Sequence, residues 1–170
     1  WSSDVCSSDL ESFMMKKLLI VGWFLSRLSF GAPATGDWLG GGGFGLTLGP
    51  TLVMLSPQLE YVYKPDVTFG SLVQMGFAGD GVLFTVSGTY RRVLGDEKAK
   101  VRPTFEGGLG LALASNLYAS SVGVHILAGG GIEYVYDKNL TLGSMLRLNF
   151  APPLKSLFVS WPMIIARFKL

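Results

Sequence analysis

Residues 60–77 read EYVYKPDVTFGSLVQMGF and residues 133–150 read EYVYDKNLTLGSMLRLNF, and these two stretches decide the fold. Eight of the eighteen positions are identical, and the copies lie 73 residues apart. Each copy is an alternating run, three turn-formers (Lys64-Pro65-Asp66 in one, Asp137-Lys138-Asn139 in the other) and a second alternating run. That is a β-hairpin written twice. One further strand-like run flanks each copy on either side, so two units of four predict eight antiparallel strands. They are expected over roughly 38–48, 57–64, 67–78, 82–94, 101–115, 121–136, 140–150 and 157–170.

The alternation divides every strand into two faces. In the seventh, Leu140, Leu142, Ser144, Leu146, Leu148 and Phe150 share one face, while Thr141, Gly143, Met145, Arg147 and Asn149 share the other. In the fifth, Val101, Phe105, Leu109, Leu111 and Leu113 oppose Arg102, Thr104 and Glu106. In the sixth, Val122, Val124, Ile126, Ile132, Tyr134 and Tyr136 oppose His125 and Glu133. Glu60, Glu106, Glu133, Arg91, Arg102, Arg147 and Arg167 all fall on the minority polar face. Three acids and four bases in strand interiors predict neutralising pairs inside a narrow lumen, with the apolar face turned outward to lipid. The expected network joins Glu106 and Glu133 to at least two of Arg91, Arg102, Arg147 and Arg167, with Lys169 a further candidate partner for Glu133. A secreted lipocalin-like ligand binder is the alternative, and it would invert the faces.

Aromatic residues gather at the strand ends. Tyr61, Tyr63, Phe69, Tyr134 and Tyr136 flank the repeated turns, and Phe77, Phe84, Phe150 and Phe158 lie at the opposite ends. Phe69 to Phe77 spans ~26 Å along a strand at the usual rise. With a tilt near ~40° that becomes ~20 Å of height, and Phe158 to Phe168 gives ~25 Å, close to the apolar band of a bacterial barrel. All ten are therefore expected at the two membrane interfaces.

Composition agrees with this reading. The chain is 49% hydrophobic and only 15% charged, below what a soluble domain usually carries. Its net charge of +2 leaves no basic excess for nucleic acid. Residues 1–10, WSSDVCSSDL, resemble the in-frame translation of a sequencing adapter, so 1–13 are expected to be a non-native leader. Cys6, the chain's single cysteine, falls within it. Residues 14–34 are expected to be a cleaved signal peptide starting at Met14 or Met15. Lys16 and Lys17 supply the charge, Leu18 to Leu25 the apolar core and Ala32-Pro33-Ala34 the small residues. Eight apolar residues are too few to span a bilayer. The mature chain would be residues 35–170.

With these features, residues 35–170 resemble the small eight-stranded outer-membrane barrels, the OmpA-type transmembrane domain and its OmpX- and OmpW-like relatives. The last strand, WPMIIARFKL, carries the most specific likeness, since Ile164, Ala166, Phe168 and Leu170 alternate toward the terminus. Leu170 stands where the family places an aromatic. The resemblance implies an all-β up-and-down transmembrane barrel, exported to the bacterial outer membrane. It also implies recognition of the last strand by the barrel assembly machinery, contact with outer-membrane lipid and a monomeric state.

The residues build no evident catalytic or cofactor site. The glycine runs Gly40–Gly43, Gly107–Gly108 and Gly129–Gly131 precede no helix that could receive a phosphate. His125 is the only histidine, and it is expected to be a lumen residue bonded to Glu or Tyr. No Cys, His or carboxylate cluster has metal spacing. Expected external loops near 49–56, 79–81, 115–120 and 151–156 are short, which disfavours a receptor or adhesin. The remaining turns, 64–66, 95–100 and 137–139, would be periplasmic, with Asp96, Glu97, Lys98 and Lys100 as the one charged cluster. The expected role is therefore structural, in envelope integrity, without catalysis. The alternatives are a narrow pore for small apolar solutes, through gaps at Gly70, Gly76, Gly108, Gly110, Gly129 and Gly131, and a lipid A-modifying enzyme using His125.

Overall fold

A computed structural model describes residues 34–49, 51–79, 81–96, 99–115, 120–137, 139–153 and 156–170. The expected leader and signal peptide lie outside the described residues, apart from Ala34. So do Glu97 and Lys98 of the charged turn.

Eight strands follow one another: β1 (Trp38–Leu48), β2 (Val53–Lys64), β3 (Val67–Ala78), β4 (Gly81–Val93), β5 (Val101–Ser115), β6 (Ser120–Val135), β7 (Leu140–Ala151) and β8 (Ser156–Lys169). Each pairs antiparallel with its neighbour in sequence, and β8 returns to pair with β1, which closes the barrel. Closure removes both sheet edges, so every strand has a backbone partner on each side. The short turns are built from residues suited to them. Pro65-Asp66 joins β2 to β3, proline presetting φ for a tight turn. Gly79 follows β3 with φ 49°, a backbone conformation that glycine adopts without strain.

β2 begins at Val53, four residues before the expected Pro57. Pro57 has no N–H to donate to a ladder. The β2–β3 pairs stop at Leu55↔Met75 and resume at Gln58↔Leu72 without a slip, so the proline interrupts pairing and leaves the strand intact. The loop before β2 shrinks accordingly to residues 49–52.

The faces are decided by closure. Leu109, Leu111, Val122, Ile132, Leu146, Leu148 and Ile164 all stand on the outer wall, with Leu109 62% exposed. Glu60, Arg91, Glu106, His125, Glu133, Arg147, Asn149 and Arg167 are buried inside. The interior is polar and the exterior apolar, the reverse of a soluble ligand-binding barrel such as a lipocalin.

β8 breaks the alternation once. Its pairing with β1 passes from Gly45↔Pro162 to Phe44↔Ile164, so Met163 is an extra residue, a β-bulge. The bulge changes the phase of the strand. Phe168 stays on the outer wall, but Phe158 turns into the lumen at 2% exposure, opposite Asn149 of β7. The expectation that Phe158 lies at a membrane interface is therefore wrong, and so is the ~25 Å span from it to Phe168, which assumed unbroken period-two geometry.

The inward glycines do not leave gaps. A Cβ on Gly110 would run into the carbonyl oxygen of Val86, one on Gly131 into that of Ser144, and one on Gly70 into that of Leu59. These positions let adjacent strands coil closely around a narrow interior. The pore expectation loses its stated basis, because side chains and backbone already fill the space beside these residues.

Candidate functional site in the barrel lumen

Period-two geometry places Glu60 and Glu133, equivalent in the two repeats, on the inner wall close to the turn end of the barrel. Two arginines link them into a ring. Arg91 of β4 reaches Glu60 at 2.9 Å and Glu133 at 2.7 Å. Arg167 of β8 reaches Glu60 at 3.1 Å and Glu133 at 3.8 Å. A third guanidinium, Arg102 of β5, sits 2.6 Å from the other oxygen of Glu133. Thr68 of β3 donates its hydroxyl to Glu60 at 3.1 Å. Above this ring, Arg147 of β7 grips Glu106 of β5 with two parallel bonds, Nε at 2.9 Å and Nη2 at 3.2 Å. Bidentate geometry of this kind makes the strongest charge-assisted pairs. Lys169 takes no part in the lumen. At the rim it lies 2.8 Å from Asp37. Its hydrogen bond, followed by that from the Ala34 N–H, holds the Asp37 carboxyl below its ordinary range.

A second, uncharged layer lies further along the lumen. His125 of β6 bonds neither glutamate nor tyrosine, contrary to expectation. Its Nδ1 lies 2.6 Å from the Ser87 hydroxyl of β4 and its Nε2 3.1 Å from Oδ1 of Asn149. The two hydrogens on Asn149 Nδ2 are taken up by the Ser160 hydroxyl at 2.9 Å and the Arg147 carbonyl at 3.0 Å, with the Phe158 carbonyl further off at 3.3 Å, which leaves only its oxygen for the imidazole. Nε2 must then carry the ring proton, and Ser87 donates to Nδ1. Phe158 stacks on the imidazole, with centroids 6.4 Å apart and planes at 12°. Ser87, Asn149, Ser160 and Thr68 were not singled out from the sequence. For Ser87, Asn149 and Thr68 the signal was available, since each falls on the polar face of its strand, but alternation does not say which polar residues meet across a barrel. Ser160 shares the parity of Phe158 and Phe168, and only the bulge turns it inward.

On the outer wall, aromatic pairs form a partial girdle at the turn end. Trp38 packs on Tyr61 at 5.4 Å, Tyr63 on Phe69 at 5.8 Å and Phe69 on Tyr90 at 5.5 Å. Lys64 lies over the Tyr63 ring. Tyr134 and Tyr136 are exposed near the other repeated turn, while Phe77 and Phe150 are exposed toward the opposite end. Phe84, half-buried, shares the outward parity of Val82 and Val86. Trp38 and Tyr90 belong to the girdle although the turn-flanking pattern did not single them out. Near the β8 bulge, Trp161 donates its indole N–H to Ser144, so this outward polar group is satisfied within the wall.

The ring borders a cavity of about 40 Å³ at the turn-end mouth, lined by Thr68, Arg91, Arg102, Glu133, Thr141 and Arg167 among others. Among the described residues, no group of three or more His, Cys, Asp or Glu side chains is placed to hold a metal ion.

No protein-family model matches the chain, and no curated protein does. Solved structures do. Neisserial surface protein A superposes with a TM-score of 0.65 at 15% identity, covering 81% of this chain and 99% of that one. The N-terminal β-barrel domain of Pseudomonas aeruginosa OprF gives 0.62 at 14% identity, over 78% and 97%. The outer membrane enzyme PagL gives 0.51 at 12% identity, over 78% and 99%. What they share with this chain is the eight-stranded antiparallel barrel. Sequence identity this low speaks to fold alone, so the role of the lumen rests on its own chemistry.

Proposed function

We propose that the chain is an integral outer-membrane β-barrel with a structural role in the envelope and no catalytic activity. One observation carries the reading: strand residues with large apolar side chains cover the outer wall while the strands' glutamates lie inside with their arginine partners. In water such a wall would be an aggregation surface, whereas in a bilayer it is the surface that lipid requires. The aromatic girdle supports an interface at the turn end, on the periplasmic side, where both ends of the barrel chain also lie. Outer-membrane lipid is the principal partner, and the β8 strand, ending Phe168-Lys169-Leu170, is the segment offered to the assembly machinery. A monomer is expected, with no nucleic acid and no cofactor.

The test is direct. The protein should require detergent or lipid, show β-type circular dichroism and migrate faster unheated than boiled on a gel. A monodisperse, detergent-free monomer would overturn the membrane reading.

Hydrolysis is the second reading, and the Ser87–His125–Asn149 chain favours it, since a hydroxyl, an imidazole and an orienting amide stand in nucleophile–base order. PagL, an outer membrane enzyme, has the same fold, so the fold leaves catalysis open. Against it, Ser87, His125 and Asn149 are all buried within the lumen, and Phe158 stacks on the imidazole. The arrangement is better suited to filling and fixing the interior. Lipid deacylation by the purified protein that disappears in His125→Ala would establish the enzyme instead.

A further inference from the structure

Among the described residues, the charges of the lumen do not balance. Arg91, Arg102, Arg147 and Arg167 face Glu60, Glu106 and Glu133. Arg147 is committed to Glu106 by its two bonds, so the imbalance belongs to the ring at the turn end, where three guanidiniums share two carboxylates. The ring Glu60–Arg91–Glu133–Arg167 is neutral by itself, and Arg102 is the surplus cation.

The unused donors lie in the same place. Within this cluster, Arg102 Nε and Arg167 Nη2 are buried and have no protein partner. The Arg167 side chain is only 3% exposed. Both residues line the mouth cavity of about 40 Å³. Arg102 shares the Glu133 carboxylate with Arg91 and Arg167, and an incompletely compensated cation is costly in a low-dielectric interior, while a guanidinium's planar fork fits an oxyanion's paired oxygens. Thr141 contributes a hydroxyl-bearing side chain to the same wall.

We propose that the turn-end mouth of the lumen binds a small free oxyanion, a phosphate or a carboxylate, on Arg102 and Arg167, and that this anion completes the charge balance of the ring. The source is the aqueous phase, because the cavity belongs to the inner wall, whereas the surface suited to lipid is the outer one. The site depends on the closed barrel and not on its surroundings, so its failure would leave the membrane reading untouched.

The full barrel, refolded in non-ionic detergent micelles, is titrated calorimetrically with sodium phosphate and separately with sodium acetate, at ionic strength held constant with sodium chloride. Saturable one-to-one binding of at least one oxyanion is expected. Arg102→Gln should weaken it ten-fold or more while keeping the heat-modifiable band, because the remaining ring is neutral. Arg102→Lys, which keeps the charge and loses the fork, should fall between the two and guards against misfolding of the glutamine variant. Arg92→Gln, on an exposed arginine beside Asp66, should bind like the parent. Two results overturn the proposal: no saturable binding of either oxyanion, which leaves the mouth to water, or unchanged affinity in folded Arg102→Gln or Arg102→Lys.

Discussion

Arg147 shows how much one lumen residue depends on its partner. It is fully buried, and Glu106 is its bidentate acceptor. Arg147→Met should leave an ionised carboxylate uncompensated and cost on the order of 3–5 kcal/mol, whereas adding Glu106→Leu should recover most of that loss. Urea unfolding from micelles, followed by tryptophan fluorescence, measures both, and additive losses in the double variant would contradict the pairing. His125 tests the uncharged layer. His125→Leu removes the acceptor of Ser87 and the donor to Asn149, and each polar group left without a partner should cost roughly 1–3 kcal/mol. The alternation placed His125 on the polar face, but not between serine and asparagine, since its neighbours come from strands 38 and 24 residues away in sequence.

Strand phase is the property that matters at the scale of the element. β5 pairs with both neighbours without a slip, so deleting Leu109 would turn either Arg102 and Glu106 or Leu111 and Leu113 to the wrong side. Such a variant should lose the heat-modifiable band. Deleting Met163 from β8 should have the opposite result. Phe158 and Arg167 both face inward although nine positions apart, and only the bulge reconciles that odd spacing with alternation. Removing the extra residue restores a regular ladder with every other side chain on its present face, so the variant should still fold and keep the band. Loss of folding in that variant would mean that the bulge is needed for closure. Strand identity was legible because hydrophobic alternation is local, but the bulge was not. WPMIIARFKL reads as alternating from its end as far back as Ile164, and nothing local marks where the register slips.

The direction of the wall is a property of the whole molecule. Leu146 stands outward near the middle of β7, 54% exposed. Leu146→Arg should cost ~2–4 kcal/mol when the barrel is folded in a bilayer, because it places a cation in hydrocarbon. The same substitution should cost far less in micelles, where water reaches the wall more easily. Equal stability in lipid vesicles would argue that this surface does not meet the acyl chains.

The sequence by itself determined eight strands, their order, the two-residue period and the grouping of Glu60, Glu106, Glu133, Arg91, Arg102, Arg147 and Arg167 on one face. These follow from side chains alternating along an extended backbone, which needs only neighbours in the chain. The tertiary structure decided which face is inside, that Arg91 and Arg167 bridge the two repeats, that Phe158 lies in the lumen, and that among the described residues three guanidiniums share two carboxylates at the mouth. Each depends on strand register around a closed circuit, and register is set by contacts between residues far apart in sequence. A single bulge in β8 is enough to change the answer for everything on one side of it.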